Sequence, residues 1–308
     1  MKLSFGIRGK SPICILTIRG GIGNQLFQIA ALSYVARNLG YIPIVNDFDL
    51  SLSSRDKHQS QFRGLDLSEW FEMDNHLRLP ESLTQKKFLQ FLWKLTTRYP
   101  LFYTVSDKEL ASASNIIRDF VGKDFRIQDL KNCDLDGHKG LFFLNGSFQE
   151  PKYVLDLRPF NTQLLLKVNS EIFQDEIELN GDKVVIHVRL TDFTNDTDNY
   201  RQNIQAGLDM IGNRLRDFHC YTDDLHTTKN LLSQIQANSK VTFSFPDEVR
   251  DYDGVNLLRK LATYSNFIPS QSSICWWAFF LSQNHGLRPR VYAGGPEFAA
   301  FKFERKHD

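Results

Sequence analysis

The chain has 308 residues, 42% of them hydrophobic, enough for one large α/β domain or two ordinary domains with real cores, which excludes a chain disordered throughout. Its 37 Lys+Arg nearly cancel 36 Asp+Glu, so no global field selects nucleic acid or an anionic membrane as main partner, and any anion must be held by a local site. Cys14, Cys133, Cys220 and Cys275 stand apart without a C-x-x-C pair, which argues against a disulfide framework or zinc site and fits a reducing compartment.

The opening MKLSFGIRGK runs into ICILTI, an apolar stretch too short to span a membrane and without a secretory cleavage site, so a cytoplasmic protein is expected. Residues 13–18 form the first predicted strand, stopped by Arg19, Gly20 and Gly21. A helix over 24–39 follows, apolar nearly all round and closed by Gly40, and 41–45 reads as a second strand. Strand, glycine turn, helix, strand is the start of a doubly wound sheet.

Residues 51–114 loosen into polar loops and helical pieces. The clearest piece, 83–99, sets Phe88, Phe91, Leu92 and Leu95 opposite Lys86, Lys87, Lys94 and Arg98. A stripe of this width is expected on the domain core, while the basic face leaves a peripheral membrane contact open. Beyond it the alternation is regular: strand 183–188, helix 204–218, strand 219–222, helix 225–235, strand 241–245, helix 256–264, strand 266–269, helix 273–281 and strand 290–293. A second Rossmann-like domain is implied, with Asn180-Gly181-Asp182 as boundary, giving domains 1–180 and 181–308.

Three segments bring polar groups to a strand end that leads toward a helix. In Gly20-Gly21-Ile22-Gly23-Asn24-Gln25, glycines allow close backbone approach and the helix start offers amides to a phosphate or sugar hydroxyl. As a dinucleotide fingerprint it is defective, because the third glycine would fall at Leu26; a tight strand-to-helix turn explains the segment equally well. In His187-Val188-Arg189-Leu190-Thr191-Asp192, strand alternation puts His187 and Arg189 on one face at a carboxyl end, where open α/β sheets bind ligands. The alternative is a core histidine and an arginine paired with a nearby carboxylate. In Ser270-Gln271-Ser272-Ser273, hydroxyls and first-turn amides can receive phosphate oxygens, or Ser272 or Ser273 can simply cap the helix.

These residues carry a resemblance. GGIGNQLFQIA (20–30) is similar to the GGLGNQMFQYA opening of glycosyltransferase family 11, the α-1,2-fucosyltransferases. In order along the chain, LNGSFQEPKYV (144–154) resembles that family's G-Y-F-Q-x-x-x-Y, HVRLTD (187–192) its H-x-R-R-x-D, YTDD (221–224) its F-S-D-D, and SQSSICWWAFFL (270–281) its S-N-S-S-F-S-W-W-A-x-x-L.

The resemblance implies a GT-B fold, two Rossmann-like domains facing across a cleft, and inverting transfer of L-fucose from GDP-β-L-fucose to a glycan hydroxyl. The acceptor it implies is O2 of a terminal β-galactoside. Carried over by position, His187 and Arg189 meet the nucleotide and diphosphate, Ser272 and Ser273 the phosphates, Gly21, Gly23 and Asn24 the donor, and Asp223 is a further donor-site candidate. Leu190 stands where the second arginine is expected, Gln271 replaces an asparagine and Cys275 a serine. Those departures keep open a transferase of another linkage or acceptor, or a non-catalytic nucleotide-sugar-binding relative.

No metal or other cofactor is expected. Asp47-Phe48-Asp49, Asp134-Leu135-Asp136 and Asp251-Tyr252-Asp253 all match the D-x-D of metal-using transferases, and three occurrences point to chance. The expectation is that Arg189, the helix start at Ser272-Ser273 and the glycine turn take the place of the metal, with Asp192 as the catalytic base and Asp196 and Asp198 as alternatives. Oligomeric state leaves no mark in the sequence.

Overall fold

Strands of a parallel sheet are covered on both faces and need short β-branched apolar runs. The computed structural model places such runs in two sheets and describes residues 13–18, 20–39, 42–46, 87, 91, 103–106, 141–145, 180–190, 197–236, 241–246, 254–270, 272–284 and 288–293. The chain divides into two compact units, Met1–Ile172 and Phe173–Asp308.

In the first unit, β1 (Ile13–Thr17), α1 (Ile22–Leu39), β2 (Ile42–Asn46), β3 (Tyr103–Ser106) and β4 (Leu141–Asn145) are described. The four strands form a parallel sheet in the order β2-β1-β4-β3. α1 begins at Ile22, earlier than the expected 24, and its described side chains from Leu26 to Leu32 are buried, as a helix apolar all round requires. Of the basic amphipathic stretch 83–99, only Lys87 and Phe91 are described; both are helical and exposed. With 56% of Phe91 accessible, the expected seat of the stripe on the core does not hold at this residue.

The second unit runs β5 (Asn180–Val188), α2 (Thr197–Ile211), β6 (Asp217–Thr222), α3 (Leu225–Ser233), β7 (Thr242–Ser244), α4 (Gly254–Leu261), β8 (Tyr264–Ile268), α5 (Ser273–Asn284) and β9 (Arg290–Val291). All five strands are parallel, in the order β7-β6-β5-β8-β9. The chain winds outward from β5 through β6 to β7 and returns to the other side of β5 as β8, so the strand order reverses between β5 and β8. Open α/β sheets bind ligands at that crevice, beyond the carboxyl ends.

The largest departure from sequence expectation is α2, expected over 204–218. Gly212, at φ +60°, stops it, its N–H donating to the Leu208 carbonyl at 2.8 Å. The helix starts at Thr197 instead, in polar turns that carry no apolar period to announce them. Its buried face of Tyr200, Ile204, Leu208 and Ile211 joins Val184, Ile186, Val188 and Leu190 in one core. Gly207 brings this helix close to the sheet: a methyl there would stand 2.7 Å from two side-chain carbons of Ile268.

Candidate functional site

The odd residues of the β5 end lie on the opposite face from Val184, Ile186 and Val188. His187 is buried there, facing α5, and Arg189 follows just past the strand, partly exposed. β5 pairs with β8 through Ile186 and Ile268, so His187 lies beside the polypeptide leaving β8. There its Nδ1 stands 2.9 Å from Ser270 Oγ and 3.2 Å from Cys275 Sγ, the first in the turn after β8 and the second in the first turns of α5. Ser270 Oγ also accepts from the Ser272 amide at 3.2 Å and lies 3.3 Å from Cys275 Sγ. The turn that follows Pro269 is thus tied to a strand-borne imidazole, and Asn203 of α2 fixes it further by donating to the Pro269 carbonyl at 2.7 Å.

Burial is the main force on these groups. It lowers the His187 pKa to about 4; the Asp223 carboxylate pulls it back up and the Arg189 guanidinium pushes it down again. The ring is therefore neutral at physiological pH. Burial likewise pushes the Cys275 thiol up to about 11, against the lowering pull of Ser270's hydroxyl and amide, so sulfur here is a neutral hydrogen-bonding group rather than a thiolate nucleophile. Cys14 and Cys220 are buried free thiols as well.

Two groups hold the strand end beneath this cluster. The Leu190 amide donates to Asp223 Oδ1 at 2.7 Å, and Tyr200 of α2 donates its hydroxyl to the Arg189 carbonyl at 3.0 Å. Asp223 thereby joins the ends of β5 and β6 and acts electrostatically on His187. Its neighbour Asp224 serves a different element. It caps α3, accepting from the Thr227 amide at 3.0 Å and hydroxyl at 2.7 Å, which lowers its pKa. Leu190 lies in the core with Tyr200 and Val188, where a guanidinium would lose its hydration, so its side chain is apart from the Arg189 face.

Ser272 is buried and Ser273 half-buried at the start of α5. The helix itself is buried on all sides from Ile274 to Leu281, packing on β8 and α4, with Trp276 stacked on Phe280 at 5.5 Å and Phe267 of β8 edge-on to Phe279 at 5.7 Å. A start so firmly anchored presents its first-turn amides and positive dipole end in a fixed place.

In the first unit, the turn after β1 is set by Gly20 at φ +76°. Gly21 offers its carbonyl to the amides of Asn24 at 3.0 Å and Gln25 at 3.1 Å, while the buried Gln25 side chain donates back to the Gly20 carbonyl at 2.6 Å. Gly23 is buried and Asn24 half-buried.

Of the expected site residues, His187, Arg189, Asp223, Ser272 and Ser273 thus converge at one end of the second sheet, and Gly21, Gly23 and Asn24 form the turn of the first. Asp192, Gln271, the stretch 146–154 and the three D-x-D pairs lie outside the described residues. Cys275, Tyr200 and Gln25 are supporting residues to which sequence reading attached no role, and Ser270, read there as a phosphate-receiving hydroxyl, is bonded to His187 instead. The one local signal, for all but Tyr200, is membership of the SQSSIC and GGIGNQ segments.

The fold of the chain is similar to that of a point mutant of Arabidopsis thaliana FUT1 in complex with GDP, with a TM-score of 0.51 and 11% identity over 94% of this chain and 72% of that one. A second solved structure, NodZ alpha-1,6-fucosyltransferase co-crystallized with GDP, aligns with a TM-score of 0.45 and 12% identity over 89% of this chain and 93% of that one. No protein-family model and no curated protein matches the chain. At such identities the likeness is one of fold, and it bears out the expected α/β, GT-B type.

Proposed function

We propose that the chain transfers L-fucose from GDP-β-L-fucose to a glycan hydroxyl, with inversion, without a metal ion, and most specifically to O2 of a terminal β-galactoside. The observation that carries the proposal is the meeting of His187 with the Ser270–Ser273 turn beside Arg189, at the place where the second sheet reverses its strand order. Two supports stand beside it: five collinear segments similar to the α-1,2-fucosyltransferases, and a fold shared with a protein solved with GDP.

In this reaction an acceptor oxygen forms a bond to C1 of fucose as the C1–O bond to the diphosphate breaks on the other face. GDP leaves with the electron pair, and the hydroxyl proton passes to a base, for which Asp192 is the candidate. Charge grows on the leaving phosphate, and Arg189, which stays ionised and can grip two oxygens at once, is the residue suited to it. The start of α5 at Ser272 and Ser273 adds amides, and His187 adds a neutral ring. Fixed donors of this kind contribute about 3 kcal/mol each in comparable sites, which lets them stand in for a cation. Asp223 ties the strand end through the Leu190 amide and stays a donor-site candidate, and Gly21, Gly23 and Asn24 keep the donor contact that the resemblance assigns them.

The deciding experiment incubates the protein with GDP-fucose and a mixed set of β-galactosides, N-acetylglucosaminides and peptides, with and without EDTA, followed by linkage analysis. An α-1,2-fucosylated galactoside formed equally in both arms is expected. A product of another linkage overturns the acceptor assignment, activity lost in EDTA and restored by manganese overturns the metal-free scheme, and GDP binding without any transfer overturns catalysis.

A further inference from the structure

We propose that Ser270 and Cys275 are positioning residues that hold His187 as the neutral tautomer protonated on Nε2, so that the site meets a diphosphate oxygen with an uncharged N–H donor beside the Arg189 cation. The ligand half of this inference rests on the donor reading above; the tautomer half does not.

The assignment follows from counting protons and lone pairs in a closed cluster. Nδ1 of His187 has two neighbours, Ser270 Oγ at 2.9 Å and Cys275 Sγ at 3.2 Å, and these two lie 3.3 Å from each other. One acceptor site on Ser270 Oγ is already taken by the Ser272 amide at 3.2 Å. Suppose the ring carries its proton on Nε2. Nδ1 then accepts the Ser270 O–H, and the second lone pair of Ser270 Oγ receives the Cys275 S–H, so both the hydroxyl and the thiol proton have a nitrogen or oxygen acceptor and Nε2–H is left for a ligand.

Suppose instead that the proton is on Nδ1. Donating to Ser270 Oγ, it fills the second lone pair; the Ser270 hydroxyl must then turn to sulfur, a weak acceptor, and the thiol proton has no acceptor left in the cluster. All three residues are nearly or wholly buried, at 6%, 1% and 2% exposure for His187, Ser270 and Cys275, so an ill-matched proton is costly. The same burial removes the third protonation state, the imidazolium. The two nitrogens sit on opposite flanks of the ring. With Nδ1 engaged on the cluster, Nε2–H is the donor left for a ligand, and a neutral ring avoids setting a buried cation beside the partly exposed Arg189 guanidinium.

The test is two-bond 1H–15N correlation spectroscopy on the full chain labelled with [15N]histidine, with His187→Gln used to assign the resonance. In the ligand-free wild type at pH 7, a pyrrole-type Nε2 and a pyridine-type Nδ1 are expected, and GDP is expected to move the Nε2 signal more than the Nδ1 signal. Ser270→Ala removes the strong donor to Nδ1: the tautomer preference is expected to relax toward Nδ1–H and GDP affinity to fall about tenfold. Cys275→Ser keeps a donor in place and is expected to preserve both tautomer and GDP affinity.

A pyrrole-type Nδ1, or an imidazolium, in the wild type overturns the inference outright. So does a folded Ser270→Ala protein with unchanged tautomer and unchanged GDP affinity. Should that variant not fold, the wild-type spectrum still decides. If the wild type shows the expected tautomer but binds no GDP, the donor reading and the ligand half fail while the proton assignment stands.

Discussion

The turn after β1 and the turn after β8 occupy like places, each at the carboxyl end of a parallel sheet where the strand order reverses, yet they are built from opposite materials. The first is a backbone device. Gly20 takes a left-handed φ, and the carbonyls it exposes are answered within a few residues, by Gln25 and by the amides of α1. The second is a side-chain device, in which Ser270 joins its own turn to His187 on a strand 83 residues earlier. A turn that closes on itself can accept a ligand on its surface without changing; one wired to a buried imidazole is tied to the charge state of the sheet behind it. On the proposed function, proton and phosphate chemistry belong with the second turn.

The sharpest way to break this contrast is at the Arg189 guanidinium. Arg189→Ala is expected to reduce transfer from GDP-fucose by about 10²–10³-fold, in line with loss of one preorganised donor to developing charge, measured as kcat/KM. A substitution at Gly21 that leaves the turn folded should cost far less. Equal losses at the two turns would erase the distinction.

Acid is the next lever, and it acts on one turn alone. The His187 pKa is near 4 in the folded protein against an ordinary 6.5, so as pH falls the unfolded chain takes up a proton that the folded chain refuses. The stabilisation is complete above pH 6.5 and is lost progressively down to about 4, to a total of about 3 kcal/mol. Urea unfolding of wild type and His187→Gln across that window measures it. The difference in stability between the two proteins should shrink as pH falls, and a constant difference would show that the ring is not the titrating group.

Much of this contrast is legible in the amino-acid sequence alone. The apolar runs of β1 and β5 and the glycine and serine punctuation locate both turns, because those signals are local in the chain. The pairing that makes the second turn matter is not local. No periodicity states that β8 returns to the flank of β5, so the bond from Ser270 to His187, the thiol of Cys275 facing the same nitrogen, and the reach of Asn203 to Pro269 have no sequence signature. Tyr200 escapes notice for a related reason: it sits in the polar first turns of α2, whose apolar period begins only later. Leu190 shows the converse, since alternation alone sends it away from Arg189 and the core containing Val188 and Tyr200 is where it lies.

A smaller effect tests the backbone turn directly. Gly20→Ala forces an alanine to φ +76° and brings its methyl within 3.2 Å of the side-chain nitrogen Nδ2 of Asn24. The expected cost is about 1–2 kcal/mol by denaturant unfolding. With the geometry preserved, the pH dependence of stability should be that of the wild type, because His187 is in the other unit. A Gly20→Ala protein whose acid sensitivity changed would mean that the two turns are not energetically independent.

The smallest effect comes from a third junction, β6 to α3, and it calibrates the others. Asp224 is a polar residue between a strand and a helix, as Ser270 and Ser272 are, but its carboxylate bonds go to the helix it caps, at Thr227 N and Thr227 Oγ1. Asp224→Ala should therefore cost about 1 kcal/mol of stability, the usual worth of such a cap, and leave GDP affinity unchanged. Its pKa is lowered by those bonds, so the capping contribution is present above the ordinary carboxylate range and fades only as pH falls through it, below most of the window in which His187 acts. Asp223, one residue earlier, accepts from Leu190 at the neighbouring strand end and acts electrostatically on His187, so Asp223→Asn should shift that histidine's acid transition further down while Asp224→Ala does not. Adjacent carboxylates with the same chemistry would then differ in function because one is wired to its own helix and the other to the strand that carries the imidazole.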